Sequence, residues 1–244
     1  MFIPMPDSIR LAKRLSELVA CSRRDAELYI EGGWVSVDGE VVEEPGFRLH
    51  DQTVALAPNA SLAPQPAVTI LLHKPVGIDG TAADGAALGL IRPETIAVND
   101  RSGMQFLKRH VTGLTLAAPL TDAASGLMVW TQDWRVARKL VEDAARIEHE
   151  FIVEVAGAIT PDGLALLNSG RAMSGRPAGP IKVSWQNETH LRFALKAANA
   201  SHIALLCTSV GLTVRAIRRI RIGRISMASL GSGQWRYLLG YERF

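Results

Sequence analysis

The sequence predicts an α+β protein: a small N-terminal unit of two helices and a hairpin, joined by a linker to a larger unit with a mixed, mainly antiparallel sheet. Three observations predict it. Apolar residues recur at helical spacing over residues 9–30 and then switch to the two-residue alternation of a hairpin. Residues 57–67, APNASLAPQPA, hold three prolines and no charge, the composition of a stiff, extended linker. Beyond the linker, short apolar strand signals are interrupted irregularly by a few helical ones, which argues against regular βαβ winding. The expected boundaries are 7–56, 57–67 and 68–244.

Taken in order, Asp7 or Ser8 caps a first helix with Ile9, Leu11, Leu15, Leu18 and Val19 at helical period. Ser22 opens a second helix, with Asp25 three residues on, and Gly32-Gly33 ends it. Val35–Val37 and Val41-Val42 flank an Asp38-Gly39 turn, a hairpin signature. In the larger unit, strands are expected at residues 68–72, 126–131, 151–155, 181–185, 191–195 and 214–225. Asp133 caps a helix running through Leu140, and Thr160-Pro161 starts another through Leu164–Leu167 to Gly170.

Composition excludes several classes. Apolar residues make up 48% and charged residues 21%, so a buried core is expected rather than disorder. Cys21 and Cys207 cannot build a disulfide framework or a structural zinc site. No His/Cys/Asp group has metal-ligand spacing and no glycine-rich phosphate loop occurs, so neither metal nor cofactor is expected. No stretch approaches roughly 18 consecutive apolar residues, so no membrane span is expected and the reducing cytoplasm is the default location.

The net charge of +3 is compatible with a nucleic-acid partner without requiring one. Two clusters localise the positive charge. Arg10, Lys13 and Arg14 share one helical face, and Arg23 and Arg24 follow Ser22 at the next helix start. Residues 1–50 nevertheless carry six Lys or Arg against nine Asp or Glu, so any binding there uses a patch rather than bulk charge. The second cluster is Arg215, Arg218, Arg219, Arg221 and Arg224, five arginines in ten residues. Strand alternation puts Arg215, Ile217, Arg219 and Arg221 on one side, the pattern of a phosphate-facing edge unless nearby acids absorb the charges.

Residues 10–56, opening with RLAKRLSELVACSRRDAELYIEGGWVSVDGE, resemble the S4 RNA-binding domain. LLHKPVGI, SGLMVWTQD, EHEFIVEVAG, ITPDGLALLNSG, GPIKVSW and RRIRIGRISMASLGSGQWRYL follow, collinearly, motifs of the S4-bearing bacterial ribosomal-RNA pseudouridine synthases. The resemblance runs from Arg10 to Glu242. It implies a structured-RNA partner, ribosomal by family habit, bound as a monomer through Arg10, Lys13, Arg14, Ser22, Arg23, Arg24, Arg218, Arg219 and Arg221. It also implies a flipped-out uridine stacked on Phe151, at the position where tyrosine is usual.

The family's chemistry uses an aspartate nucleophile held by a basic group. Aligned on Ser125-Gly126-Leu127, its Gly-Arg-Leu-Asp becomes Ala118-Pro119-Leu120-Thr121, so Thr121 occupies the nucleophile position. The family's basic segment falls on Ala200–Leu205, with Ser201, Ala204 and Leu205 in place of arginines. Carboxylate and guanidinium are therefore expected to be lost together. Two readings follow: an RNA binder that no longer isomerises uridine, or an active synthase using Asp122, one residue on. A third, a protein-interaction scaffold, leaves the first basic cluster unexplained.

Overall fold

A computed structural model describes residues 8–83, 85–169, 181–196 and 200–244. The chain divides into two compact units: Met1–Pro66 with Gln105–Thr112, and Ala67–Met104 with Gly113–Phe244.

The first unit contains β1 (Ile9–Arg10), α1 (Leu11–Leu18), α2 (Arg23–Glu31), β2 (Val35–Val37), β3 (Glu40–Val41), β4 (Arg48–Leu49) and β5 (Val54–Leu56). Leu11, Leu15, Ala26, Ile30, Val35 and Leu49 form its core. The start of α1 differs from expectation. Ile9–Arg10 pairs with β4 instead of entering the helix, and Arg10 takes the cap position without a side-chain cap. The loop carbonyls of Phe47 and Pro45 accept from Leu11 N and Ala12 N, so backbone replaces the capping side chain.

At α2 the expected device is present: Ser22 Oγ accepts from Asp25 N at 3.1 Å. The Asp38-Gly39 turn has positive φ at both residues (50° and 88°), which lets β2 and β3 pair as a tight hairpin. The 105–112 segment joins this unit by contacts no local pattern announces. Lys108 N donates to Glu43 Oε2 at 2.7 Å. Leu107 lies so close to Gly33 (φ +73°) that a Cβ there would meet its Cδ2 at 2.4 Å.

The second unit contains β6 (Thr69–Lys74), β7 (Thr115–Leu116), β8 (Ala124–Thr131), α3 (Trp134–Val141), β9 (Glu148–Ala156), α4 (Gly163–Asn168), β10 (Ile181–Trp185), β11 (His190–Lys196), α5 (Ala200–Ser209), β12 (Thr213–Ile222), β13 (Ile225–Ser226) and β14 (Trp235–Tyr237). Its sheet runs β10-β11-β9-β12-β8-β6-β14, with β13 on β12 and β7 on β8. Only the β8–β12 pairing is parallel among the described strands.

Asp133 caps α3 by accepting from Arg135 N at 2.8 Å. The helix expected at Thr160 begins later, at Gly163. Thr160 N is bound to Val210 O, its own carbonyl accepts from Gly163 N, and Asp162 caps the helix in a left-handed conformation (φ 61°). Gly170 lies outside the described residues. Helix α5 and strand β14 carry no strong local signal. α5 has an apolar majority without a sharp stripe, and β14 is three residues long.

Candidate functional site

The site is organised by one cross-strand row. Lys74 is the register partner of Gly126, Gly126 of Arg219, Arg219 of Phe151, and Phe151 of Phe193. Five strands thus place a lysine, a glycine, an arginine and two phenylalanines side by side. Gly126 has φ +113°, and a Cβ there would fall 2.2 Å from Arg219 O. Only glycine lets β8 and β12 approach so closely, which explains the Ser-Gly-Leu signature structurally.

Arg219 is 2% exposed. Its Nε donates to Leu127 O at 2.7 Å and its Nη2 to Ala118 O at 2.6 Å, so the guanidinium clasps both ends of the 118–127 segment. Burial pushes its pKa down to about 9, and it stays protonated at neutral pH. Lys74 is fully buried, with Nζ donating to Pro75 O at 2.8 Å and Ile78 O at 2.7 Å. Burial lowers its pKa; Asp122 and Asp79 oppose that, and Arg219 adds to it. Among the described residues neither cation has a carboxylate within salt-bridge distance. Buried charges are ordinarily paired, because leaving one alone costs several kcal/mol.

The expectation that the guanidinium is lost with the carboxylate is therefore corrected. Ser201, Ala204 and Leu205 do stand on α5 without charge, but Arg219 brings a cation to the loop from β12. A signal for it existed: Ile217, two residues earlier on the strand, is buried, and alternation carries Arg219 inward with it.

The loop between Pro119 and Ala124 is held by backbone pairing of Leu120 with Gly80 in both directions (3.0 and 3.2 Å). Thr121 is half-buried and Asp122 is exposed. The Asp122 carboxylate accepts from Ala123 N at 2.8 Å, and its carbonyl accepts from Gly77 N at 2.8 Å. It acts on Lys74 through space and makes no ion pair among the described residues. Phe151 is fully buried in the sheet, so its ring presents no open face to a base in this state.

The arginines of β12 divide. Bulges between Val214 and Ala216 and between Arg219 and Arg221 break the simple alternation, so Arg215, Arg219 and Arg221 do not share a side. Arg221 pairs with Glu148 at 2.8 Å and with Glu150, which also accepts from Arg192 Nε at 3.0 Å. Burial tends to raise the Glu150 pKa, but hydrogen bonds from Arg221 and Arg192 outweigh it and hold the carboxyl below its usual value. Arg219 and Arg221 are thus committed to the protein interior and to internal acids, which does not fit the phosphate-facing edge expected of them. Arg218 is exposed and has no polar partner among the described residues.

In the first unit Arg10, Lys13, Arg14, Ser22, Arg23 and Arg24 are all exposed. Arg23 pairs with Glu27 at 3.3 Å, an exposed i,i+4 contact. Arg10, Lys13, Arg14 and Arg24 have no acidic partner among the described residues. No described helix is long and apolar enough to cross a membrane.

The sheet with its glycine-backed loop, joined to a small helix–helix–hairpin unit, defines a pseudouridylate-synthase fold. A solved structure described as a pseudouridylate synthase superposes with a TM-score of 0.59 at 18% identity, covering 95% of this chain and 96% of that one. The S4 domain family matches residues 9–54. Across 98% of the chain the sequence is 27% identical to the dual-specificity RNA pseudouridine synthase RluF of Escherichia coli K12, covering 78% of that protein. It is 28% identical over 97% of its length to the uncharacterized RNA pseudouridine synthase Rv1711 of Mycobacterium tuberculosis H37Rv, 92% of which is covered. Along nearly its whole length the chain is thus similar to S4-bearing RNA pseudouridine synthases.

Proposed function

We propose that this protein binds structured RNA, ribosomal in kind, through the exposed face formed by Arg10, Lys13, Arg14, Ser22, Arg23 and Arg24, and that it does not isomerise uridine. It acts as a monomer in the cytoplasm, as a binder or assembly factor on folded RNA. The domains are taken as residues 7–56, a linker at 57–67, and 68–244. The observation that carries the reading is Thr121. Thr121, a half-buried residue without a carboxylate, stands at the nucleophile position of a loop whose Ala118 carbonyl accepts from the buried Arg219. A threonine hydroxyl needs a general base to attack, and Arg219, with a pKa of about 9, stays protonated at neutral pH and cannot serve as one.

A specific observation favours a second reading: Asp122 lies close enough to Lys74 to oppose the lowering of its pKa by burial. A loop rearrangement that turned Asp122 inward would place an acid beside the buried lysine.

Tritium release from C5-labelled uridine in ribosomal RNA tests both. Wild type is expected to release none, and Asp122→Asn to match it. Release by wild type that disappears in Asp122→Asn would replace the first reading with the second. Because Arg219 lies beneath the loop, Thr121→Asp is expected to release tritium above the wild-type background. Continued silence would mean that more than the carboxylate is missing.

A further inference from the structure

We propose that the cavity bounded by His73, Arg218 and the 226–230 turn binds a ribonucleotide, Arg218 taking its phosphate and His73 its ribose 2′-hydroxyl. The cavity has a volume of about 460 Å³ and is lined by His73, Arg218, Ile220 and residues 226–230. That volume falls in the range of small-molecule sites, roughly 300–1,000 Å³. It is separate from the Thr121 loop. His73 and Arg218 each stand one residue from a member of the Lys74–Arg219 row, and alternation along β6 and β12 turns them to the other side of the sheet.

Three features select the ligand. First, no acidic side chain lines the cavity, and Arg218 brings an exposed guanidinium with no polar partner among the described residues. Arg221, three residues along the same strand, is by contrast neutralised by Glu148 and Glu150. An uncompensated guanidinium at the mouth of a cavity suits a phosphate. Second, His73 Nδ1 lies 2.8 Å from Leu230 O. A carbonyl only accepts, so Nδ1 carries the proton and Nε2 is the ring nitrogen left to a ligand.

Burial lowers the His73 pKa from 6.5; the backbone of Leu230 and of Gly231 opposes that, and Arg218 reinforces it. The ring is therefore neutral at pH 7, and Nε2 offers a lone pair. A lone pair calls for a hydroxyl donor, which a ribose supplies and a bare phosphate dianion does not. Third, Ile220, Met227 and Leu230 give the cavity apolar wall for a sugar or base, while the Ser226 and Ser229 hydroxyls border it. The same chemistry is carried by a free mononucleotide and by one residue of an RNA chain. The assignment stands whether or not the first unit binds RNA.

The test follows the His73 imidazole by nitrogen NMR, with affinity from calorimetry, on the full chain at pH 7. The probes are AMP, 2′-deoxy-AMP and a short single-stranded RNA. AMP is expected to shift the His73 signals. Deoxy-AMP should bind about fivefold to tenfold more weakly, the loss of one hydrogen bond to a neutral acceptor. Arg218→Gln, a surface change, should weaken AMP by about tenfold or more. A His73 response to RNA alone supports a chain residue as the occupant; a response to AMP as well supports a free nucleotide. No His73 response to either probe overturns the proposal. So does equal affinity for AMP and deoxy-AMP, or indifference to Arg218→Gln. If RNA binding depends on Arg23 and Arg24 but His73 never responds, this inference fails while the RNA-binding reading survives.

Discussion

The two units use arginine in opposite ways. In the first, Arg10, Arg14, Arg23 and Arg24 stand in solvent on two helix starts, paired at most by an exposed i,i+4 contact. In the second, Arg219 is sealed inside the sheet and Arg221 is locked between two glutamates. Solvated cations contribute little to folding and remain available to a polyanion. Sequestered ones have exchanged water for carbonyls and carboxylates, so they hold the structure together and are lost to outside ligands. A count of basic residues merges the two kinds; burial and partner separate them.

Three changes would break or sharpen that contrast. The largest effect is expected from Arg219→Met, which leaves Ala118 O and Leu127 O without their donor. Each buried acceptor left unpaired costs about 1–3 kcal/mol, so the denaturant midpoint should drop clearly. An unchanged midpoint would mean that Arg219 is not structural.

The next concerns Glu150. Its folded pKa lies below 4.5, so its stabilisation is present above the unfolded value and is lost as pH falls through the lower folded value. Glu150→Gln should therefore melt below wild type at neutral pH, and the two melting temperatures should converge in acid as the folded carboxyl is protonated. Parallel curves throughout the acid range would exclude the Arg192–Glu150–Arg221 pairing as the cause.

The smallest effect on stability, and the clearest on binding, belongs to Arg24→Gln. Melting should be unchanged, while the slope of log affinity for RNA against log salt becomes shallower by roughly 0.7 if the contact is to single-stranded phosphate. A melting loss with an unchanged slope would reverse the assignment of that residue.

Much of the fold was legible because it rests on local chemistry. Ser22 with Asp25, the Asp38-Gly39 turn, the Asp133 cap and the alternating strands at 151–155 and 191–195 each encode their element within a few residues. That a threonine, not an acid, stands four residues before Ser125-Gly126-Leu127 was equally visible. Other features depend on partners distant in the chain. The cap on α1 comes from carbonyls more than thirty residues away, and the 105–112 segment joins the first unit through Glu43 and Gly33.

The sequence alone thus determined the two-unit plan and the likeness to S4-bearing RNA pseudouridine synthases, because these are written in spacing and residue type. The tertiary structure decided which cations face inward. That outcome depends on two bulges in β12 and on the glycine that admits Arg219 beside β8, and no window of neighbouring residues contains both strands.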